Sequence, residues 1–413
     1  MKILIIGYVW PEPNSTGAGV RFSELINLFS SHDWQMHFTS PATPTEHSLQ
    51  LQDMGIQSHC IEVNDDAFDA YISNLQPDIV LFDRFLMEEQ FGWRVAKHCP
   101  QALRILETID LHFLRDARQQ AHKAQRKVQD VDLHNAIALR EVASIYRSDL
   151  SLLISDYELE LLQNHFHIHP DLLHLCPFMI QPEHIHQHSP SFEQRQHFIS
   201  IGNFRHAPNW DAVLWLKQEI WSPIRQQLPH AELHIYGAYT PPKATALHQA
   251  KDGFIIQDRA KDLRQVMQQS RVCLAPLRFG AGIKTKLADA MRHGTPNVTT
   301  NMGAEGMTAG LPWSGSIADD APSFAAAAVQ LYQNQHDWQH AQQYGFDIVH
   351  QLFNPQKNGS ALIKRIQHHL EHLQTYRQSN FIGSMLNHHH HRSTEFMSRW
   401  IHAKNKCNTG VNT

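Results

Sequence analysis

The sequence predicts an α/β protein built from two doubly wound parallel αβα halves and a helical tail. Short β-branched runs alternate with helical patterns from residue 2 to 155, and again from 198 to 300. Between the two series, residues 170–197 hold four prolines and many histidines with little periodicity, the mark of a linker. A length of 413 residues also suits two or three domains at about 150 residues each.

Taken in order, KILIIGYV (2–9) is a buried strand ended by Pro11 and Pro13. The loop NSTGAGVR leads into a helical pattern through Phe22, Leu25, Ile26 and Leu28. QMHFTSP, PDIVLFDR (77–84), RILETID (104–110) and SLLIS (151–155) are further strands, with a long polar helical pattern over about 115–147. In the second series FISIGNF (198–204), ELHIYG (232–237), GFIIQD (253–258), RVCLAPL (271–277) and TPNVTT are strands. A helix opens near Pro208, where proline suits a first turn. Another, GIKTKLADAMRHG, closes at Gly294. The expected domains are 1–185, 186–355 and a tail, 356–413, that is helical and polar.

Hydrophobic residues at 42% and charged residues at 18% exclude a disordered polar chain. The formal charge of −5 speaks against a basic nucleic-acid binder. Thirty-two histidines make the charge strongly pH-dependent: half-protonation near their usual pKa adds about +16. Cys60, Cys99, Cys176, Cys273 and Cys407 are scattered without CxxC spacing and read as reduced thiols. The opening apolar run is too short for a secretion signal, and no run of 18 apolar residues occurs. A cytoplasmic protein is expected.

The most informative segment is PLRFGAGIKTKLADAMRHGTPNVTTNMGAEGM, 276–307. A strand ends at Leu277, a loop with Gly280 and Gly282 follows, and a helix opens directly after it. Unpaired amides and the positive helix end make an anion site there. Lys284 and Lys286 oppose the helix dipole by about 0.3–1 kcal/mol each, which an anion would offset. The plainer reading is a tight turn with two solvated lysines.

This segment, together with GNFRHAPNWDAV (202–213), resembles the donor-binding signature of the group 1 glycosyltransferases, the retaining class with the GT-B fold. The resemblance covers most of 1–355. It implies two Rossmann-like domains facing a central cleft, with a nucleotide-diphosphate-sugar on the C-terminal domain and an acceptor on the N-terminal one. It also implies that Gly202 and Arg205 lie near the pyrophosphate, and that Lys284 and Lys286 neutralise the leaving group. Asp289 stands where the family has the second glutamate of an E-x7-E motif, close to the ribose, and the first glutamate is Ala281 here. Glu305 falls beside the same cleft, and Asp258 and Arg259 fall where the base edge is read. Asn209 lies near the usual place of a phosphate-binding lysine, and Lys284 is read as its replacement. ETIDLHF resembles the family's HD motif with Ile109 in the histidine's place, so Asp110 and then His112 are the expected catalytic residues, with Lys284 and Arg205. The family's chemistry lets the leaving phosphate take the acceptor's proton, so neither metal nor cofactor is expected. Fixed cations stabilise the developing charge most in the transition state.

NSTGAGVR fails as a dinucleotide fingerprint, since Phe22 replaces the third glycine and no acidic residue ends the second strand. Gly17 and Gly19 suit an acceptor-side loop, or a plain helix start. The Asp130-Val131-Asp132 triplet falls inside a helical pattern and reads as a solvated face. Histidine clusters at 165–169, 183–188 and 388–391 read as surface rather than as zinc or nickel ligands. In the tail, Phe381, Ile382, Met385, Leu386, Phe396, Met397, Trp400 and Ile401 form an apolar stripe with basic neighbours. Packing on protein is the first reading and peripheral membrane contact the second.

These features predict a glycosyltransferase with a nucleotide-sugar donor and a glycan or lipid-linked acceptor, working in surface polysaccharide or glycoconjugate assembly. The rivals are a sugar-nucleotide epimerase of GT-B-like fold, a non-catalytic histidine-rich metal or pH-responsive binder and, weakest, a dehydrogenase.

Overall fold

The computed structural model describes residues 1–127, 131–181, 189–308 and 310–409. Its first sheet has seven strands: β1 (Lys2–Ile6), β2 (Gln35–Ser40), β3 (Gln57–Cys60), β4 (Ile79–Asp83), β5 (Leu103–Glu107), β6 (Leu150–Leu153) and β7 (Leu173–Leu175). The order is β3-β2-β1-β4-β5-β6-β7 and every pairing is parallel. The second sheet has six: β8 (Gln196–Ile201), β9 (Leu233–Tyr236), β10 (Phe254–Ile256), β11 (Ser270–Ala275), β12 (Asn297–Thr299) and β13 (Gly315–Ile317). Its order, β10-β9-β8-β11-β12-β13, repeats the same winding. Central strands such as β1 and β4 are apolar on both faces because helices cover both. Strand order reverses between β1 and β4, and between β8 and β11, so each sheet opens a crevice at the carboxyl ends of those strands.

Three strands, β3, β7 and β13, escape the sequence reading. They are three or four residues long and lie at sheet edges, where little apolar pattern is needed. The linker is also shorter than expected. Leu172, Leu173, Cys176 and Met179 are buried in the N-terminal cores, whereas Phe178 and Ile180 already pack with Leu287, Met291 and Phe353 of the C-terminal domain. The long pattern over 115–147 resolves into two helices, His112–Lys123 and Ala136–Arg147. Asn135 starts the second by accepting the Ala138 N–H, and Asp132 accepts the His134 N–H in the loop between. Asp132 is therefore on a loop rather than a helix face, and Asp130 lies outside the described residues.

After the second domain, helix Pro355–Glu371 crosses back. It places Leu362, Ile363 and Ile366 in the same core as Ile3, Phe22 and Phe29 of the N-terminal domain. Arg365 and His369 donate to or pair with backbone carbonyls at Pro170 and Asp171. Two further helices, Leu373–Ser379 and Phe381–Thr409, follow. The packing expected of the tail holds for the first of these helices but not for the apolar stripe. Phe381, Ile382, Met385, Phe396, Met397 and Trp400 are exposed. No helix among the described residues is long and apolar enough to cross a membrane.

Candidate active site

The crevices of the two sheets face one another. Thr16 caps the helix Gly17–Ser30 by accepting the Gly19 N–H. A methyl group on Gly17 would lie 2.3 Å from Thr285 Oγ1, so the glycine lets this helix meet the start of helix Thr285–Arg292 across the cleft. Gly19 is needed for another close approach, since a Cβ there would fall 2.3 Å from the Glu12 carbonyl. Gly17 and Gly19 thus lie in the first turn of a helix and not on a loop, and Gly17 faces the C-terminal domain.

Asp110 follows β5 through a strained turn. Its N–H donates to Thr108 O at 2.8 Å, closing a three-residue turn around Ile109 at φ +65°. That conformation is rare for a β-branched residue and is kept only where the surroundings enforce it. Here buried Arg21 donates to Glu107 Oε2 at 3.2 and 3.1 Å, while Glu107 Oε1 accepts the Ile109 N–H at 3.3 Å. Non-glycine residues with positive φ also follow β4 (Arg84) and β9 (Tyr239). Despite its burial, Asp110 is held well below the usual carboxylate range by the Arg115 guanidinium bonded to it, and then by His112. His112 opens its helix, with Nε2 4.0 Å from Asp110 and Nδ1 3.3 Å from Glu141. Glu141 also accepts the N–H groups of His112 and Phe113, which caps the helix.

Gly282, at φ +63°, touches Asp110 across the domains: a Cβ there would lie 2.7 Å from Asp110 Cβ. Its amide does not stay open for an anion. It donates to Glu158 Oε1 at 2.8 Å, and the same oxygen accepts the Leu111 N–H at 3.0 Å. One carboxylate oxygen therefore ties the two domains together. Burial, and next the Asp110 charge, pushes the Glu158 pKa up to about 8. The Gly280 carbonyl is likewise held from the N-terminal domain, by Arg118 at 2.8 Å.

Lys284 is the N-cap of helix Thr285–Arg292 and donates to the Gly282 carbonyl at 2.5 Å. Burial lowers its pKa. Lys286 reaches Asn209 Oδ1 at 2.7 Å, and burial pulls its pKa down to about 8. A Cβ on Gly202 would meet Asn209 at 2.6 Å and Lys286 Nζ at 3.0 Å, so Gly202, Asn209 and Lys286 form one cluster. Lys286, rather than Lys284, stands beside Asn209. His206, exposed at the cleft, is pushed down from the usual imidazole value by desolvation and then by Arg115. Asp110, Lys286 and Lys284 also act on it, which places it between the two walls.

Farther along the cleft, Arg205 stacks on Tyr239, 3.8 Å from its ring centre, and Arg259 lies 5.7 Å from the same ring. Arg205, Tyr239, Asp258 and Arg259 line a cavity of about 810 Å³. Asp258 accepts from Thr240 at 3.1 Å. The Tyr239 hydroxyl donates to Glu12 of the N-terminal domain at 2.9 Å, which closes this end. Both oxygens of Glu305 are held by Arg118 of the N-terminal domain. Asp289 faces helix Gly17–Ser30, bonded to Arg292 at 2.9 Å and close enough for its charge to act on Glu24.

Sequence reading missed Arg118, Glu158 and His206. Arg118 and Glu158 sit on helices of the N-terminal domain with no motif around them. His206 lies inside GNFRHAPNWDAV and was passed over because histidine is abundant in this chain.

Residues 195–334 match the family model described as glycosyl transferases group 1. The chain carries a group 1 glycosyltransferase domain. The fold of the whole glycosyltransferase agrees. Sucrose-phosphate synthase from Thermosynechococcus elongatus superposes with a TM-score of 0.68 at 15% identity, over 89% of this chain and 98% of that one. HepE from Anabaena, solved with UDP and glucose, gives 0.67 at 11% identity, over 89% and 99%. A glycosyltransferase from Rickettsia africae gives 0.64 at 12% identity, over 91% and 98%. A search of curated protein sequences returned no significant match. This glycosyltransferase therefore has the GT-B architecture that the residues at 202–213 and 276–307 implied.

Among the described residues, two groups could hold a metal ion: His197, Glu232 and His234, and the exposed His368, Glu371 and His372. In the first, His197 Nδ1 accepts the Glu232 N–H at 3.2 Å, so the neutral ring carries its proton on Nε2 and has no lone pair there for a metal. The 165–169 histidines are exposed, and 183–188 lie outside the described residues.

Proposed function

We propose that this glycosyltransferase moves a sugar from a nucleoside-diphosphate-sugar to a hydroxyl of a glycan or lipid-linked glycan, in surface polysaccharide or glycoconjugate assembly. The observation that carries the reading is Lys286, a half-buried ammonium whose bonded partner is a neutral amide oxygen and whose pKa is pulled down by desolvation. Such a group is a receptor for an anion, because a bound diphosphate restores the charge that burial disfavours. Lys284 and Arg205 add two more cations on the same wall, and Asp110 faces them from the other. Asp258 and Arg259 lie at the cavity end, where the base would be read.

In this reading the bond from the anomeric carbon to the diphosphate oxygen breaks while a bond to the acceptor oxygen forms on the same face. The acceptor's proton passes to the departing diphosphate. Lys286, Lys284 and Arg205 stabilise the charge that develops there. Asp110, kept ionised by Arg115, holds a hydroxyl in place from the acceptor side. The three cations supply the charge stabilisation, so the reaction proceeds without a divalent metal. The family's retaining stereochemistry is proposed with it.

A thermal-shift panel of UDP, GDP, ADP, TDP and CMP, with and without chelator, tests the donor site. A ligand at 100 times its Kd stabilises by about 2.7 kcal/mol. UDP is the first choice, as it is bound in the Anabaena HepE structure. One diphosphate should raise the midpoint with chelator present, and a flat panel overturns the reading. An epimer of the free nucleotide-sugar, formed without acceptor, would instead select the epimerase.

A further inference from the structure

Helix Phe381–Thr409 lies on the N-terminal domain with its small and polar side inward. A Cβ on Gly383 would come within 2.2 Å of the Tyr146 carbonyl, which Asn380 Nδ2 contacts at 2.7 Å. Arg94 donates to Ser398 Oγ at 3.0 Å, and Lys97 pairs with Glu395 at 3.1 Å. The outward side carries large apolar residues, with Ser393, Arg399 and Lys404 exposed among them. Phe381, Phe396, Met397 and Trp400 are 76%, 64%, 58% and 59% exposed, with Ile382 and Met385 beside them. At about 100° per residue these six fall within an arc of about 160°, and Gly383 and Ser398 fall outside it. They form two patches on that side, Phe381–Met385 and Phe396–Trp400, separated by roughly 17 Å of helix. Single exposed apolar residues need no explanation, but six aligned on one helix mark a contact surface.

Charge decides what covers it. The whole chain is acidic at −5, yet 381–409 holds Arg392, Arg399, Lys404 and Lys406 against Glu395 alone. Glu395 is itself shared between Lys97 and Arg399. A second copy meeting this face symmetrically would set basic helix against basic helix. Anionic lipid headgroups are attracted to it, and aromatic residues flanked by cations suit the headgroup region. Lys404 stands 5.2 Å from the Trp400 ring centre, within the same arc.

We propose that helix Phe381–Thr409 docks the protein on an anionic lipid bilayer, lying in the plane of its surface. The helix rests on helices Arg84–His98 and Ala136–Arg147, and the first of these begins where β4 ends at the cleft. Docking therefore holds the acceptor-side domain against the membrane.

The test uses the full chain and sedimentation with vesicles of phosphatidylcholine alone or with about 30% phosphatidylglycerol. The anionic vesicles should bind it at least about tenfold more tightly, and added salt should weaken the binding. Phe396→Glu with Trp400→Glu should abolish the difference while leaving the melting temperature and nucleotide binding unchanged. Equal binding to both vesicle types, or equal binding by the variant, overturns the proposal. So does a concentration-dependent dimer, removed by the same substitutions, in a protein that ignores vesicles. Vesicle binding is read without donor, so its failure is separate from any failure of the transferase reading.

Discussion

Arg118 of the N-terminal domain holds Glu305 of the C-terminal domain through two parallel hydrogen bonds, 2.7 and 2.8 Å long. The guanidinium is buried and also donates to the Gly280 carbonyl, so the contact joins the Gly280 loop to the end of helix Asn301–Ala304. Removing either partner strands the other in the interface. Arg118→Ala and Glu305→Gln should each cost about 2 kcal/mol, and the double variant little more than one of them. Paired melting curves on the three variants check this; strict additivity would mean that the two residues act independently.

Lys286 makes nucleotide binding proton-linked. Below pH of about 8 its ammonium is charged, and above it burial favours the neutral amine. A bound diphosphate raises the pKa, so binding near and above pH 8 should take up a proton and weaken as the pH climbs. Calorimetry in two buffers of different ionisation enthalpy reads that uptake. Lys286→Met should remove it and weaken UDP by about 10–100-fold, with uridine nearly unaffected.

Asp110→Asn keeps the shape of the turn but removes the charge that Arg115 and His112 face. Turnover should fall by about 100-fold while the Kd for the nucleotide stays within about twofold, if the N-terminal wall that carries Asp110 receives the acceptor as proposed. An unchanged kcat removes Asp110 from the mechanism.

Glu158 should appear in the pH dependence of stability. Its folded pKa, about 8, lies above the ordinary carboxyl value of 4.5. The folded state therefore holds a proton that the unfolded chain has lost, so stability falls as pH rises from about 4.5 through about 8. Glu158→Gln, which keeps an oxygen for the Leu111 and Gly282 amides, should flatten that slope in denaturation curves taken across the range.

The central strands and the donor loop were legible because their signals are local. An apolar run between helices, or glycines between a strand end and a helix, states its structure within a dozen residues. Positive φ at Gly282 and Gly294 agrees with where those glycines stand in the sequence. What escaped depends on distant partners. Glu158 reads as one more surface glutamate of an amphipathic helix until Leu111 and Gly282 converge on it. Lys284 and Lys286 are equivalent by spacing, and only the packing of Asn209 against Gly202 separates them. The tail misled for a related reason. An apolar stripe reports that something covers it, whereas Gly383 and Ser398, the residues that do pack, carry no hydrophobic signal.

The returning helix Pro355–Glu371 also sets an order of events during synthesis. Its Leu362, Ile363 and Ile366 complete a core whose other members begin at Ile3. The chain's first-made sheet must wait, one apolar flank open, until more than 350 residues have left the ribosome. The second sheet completes its cores with Trp338, Ala341, Phe346 and Phe353, all made before the returning helix. The half made last can therefore finish first, and the half made first spends translation exposed to chaperones and to other nascent chains.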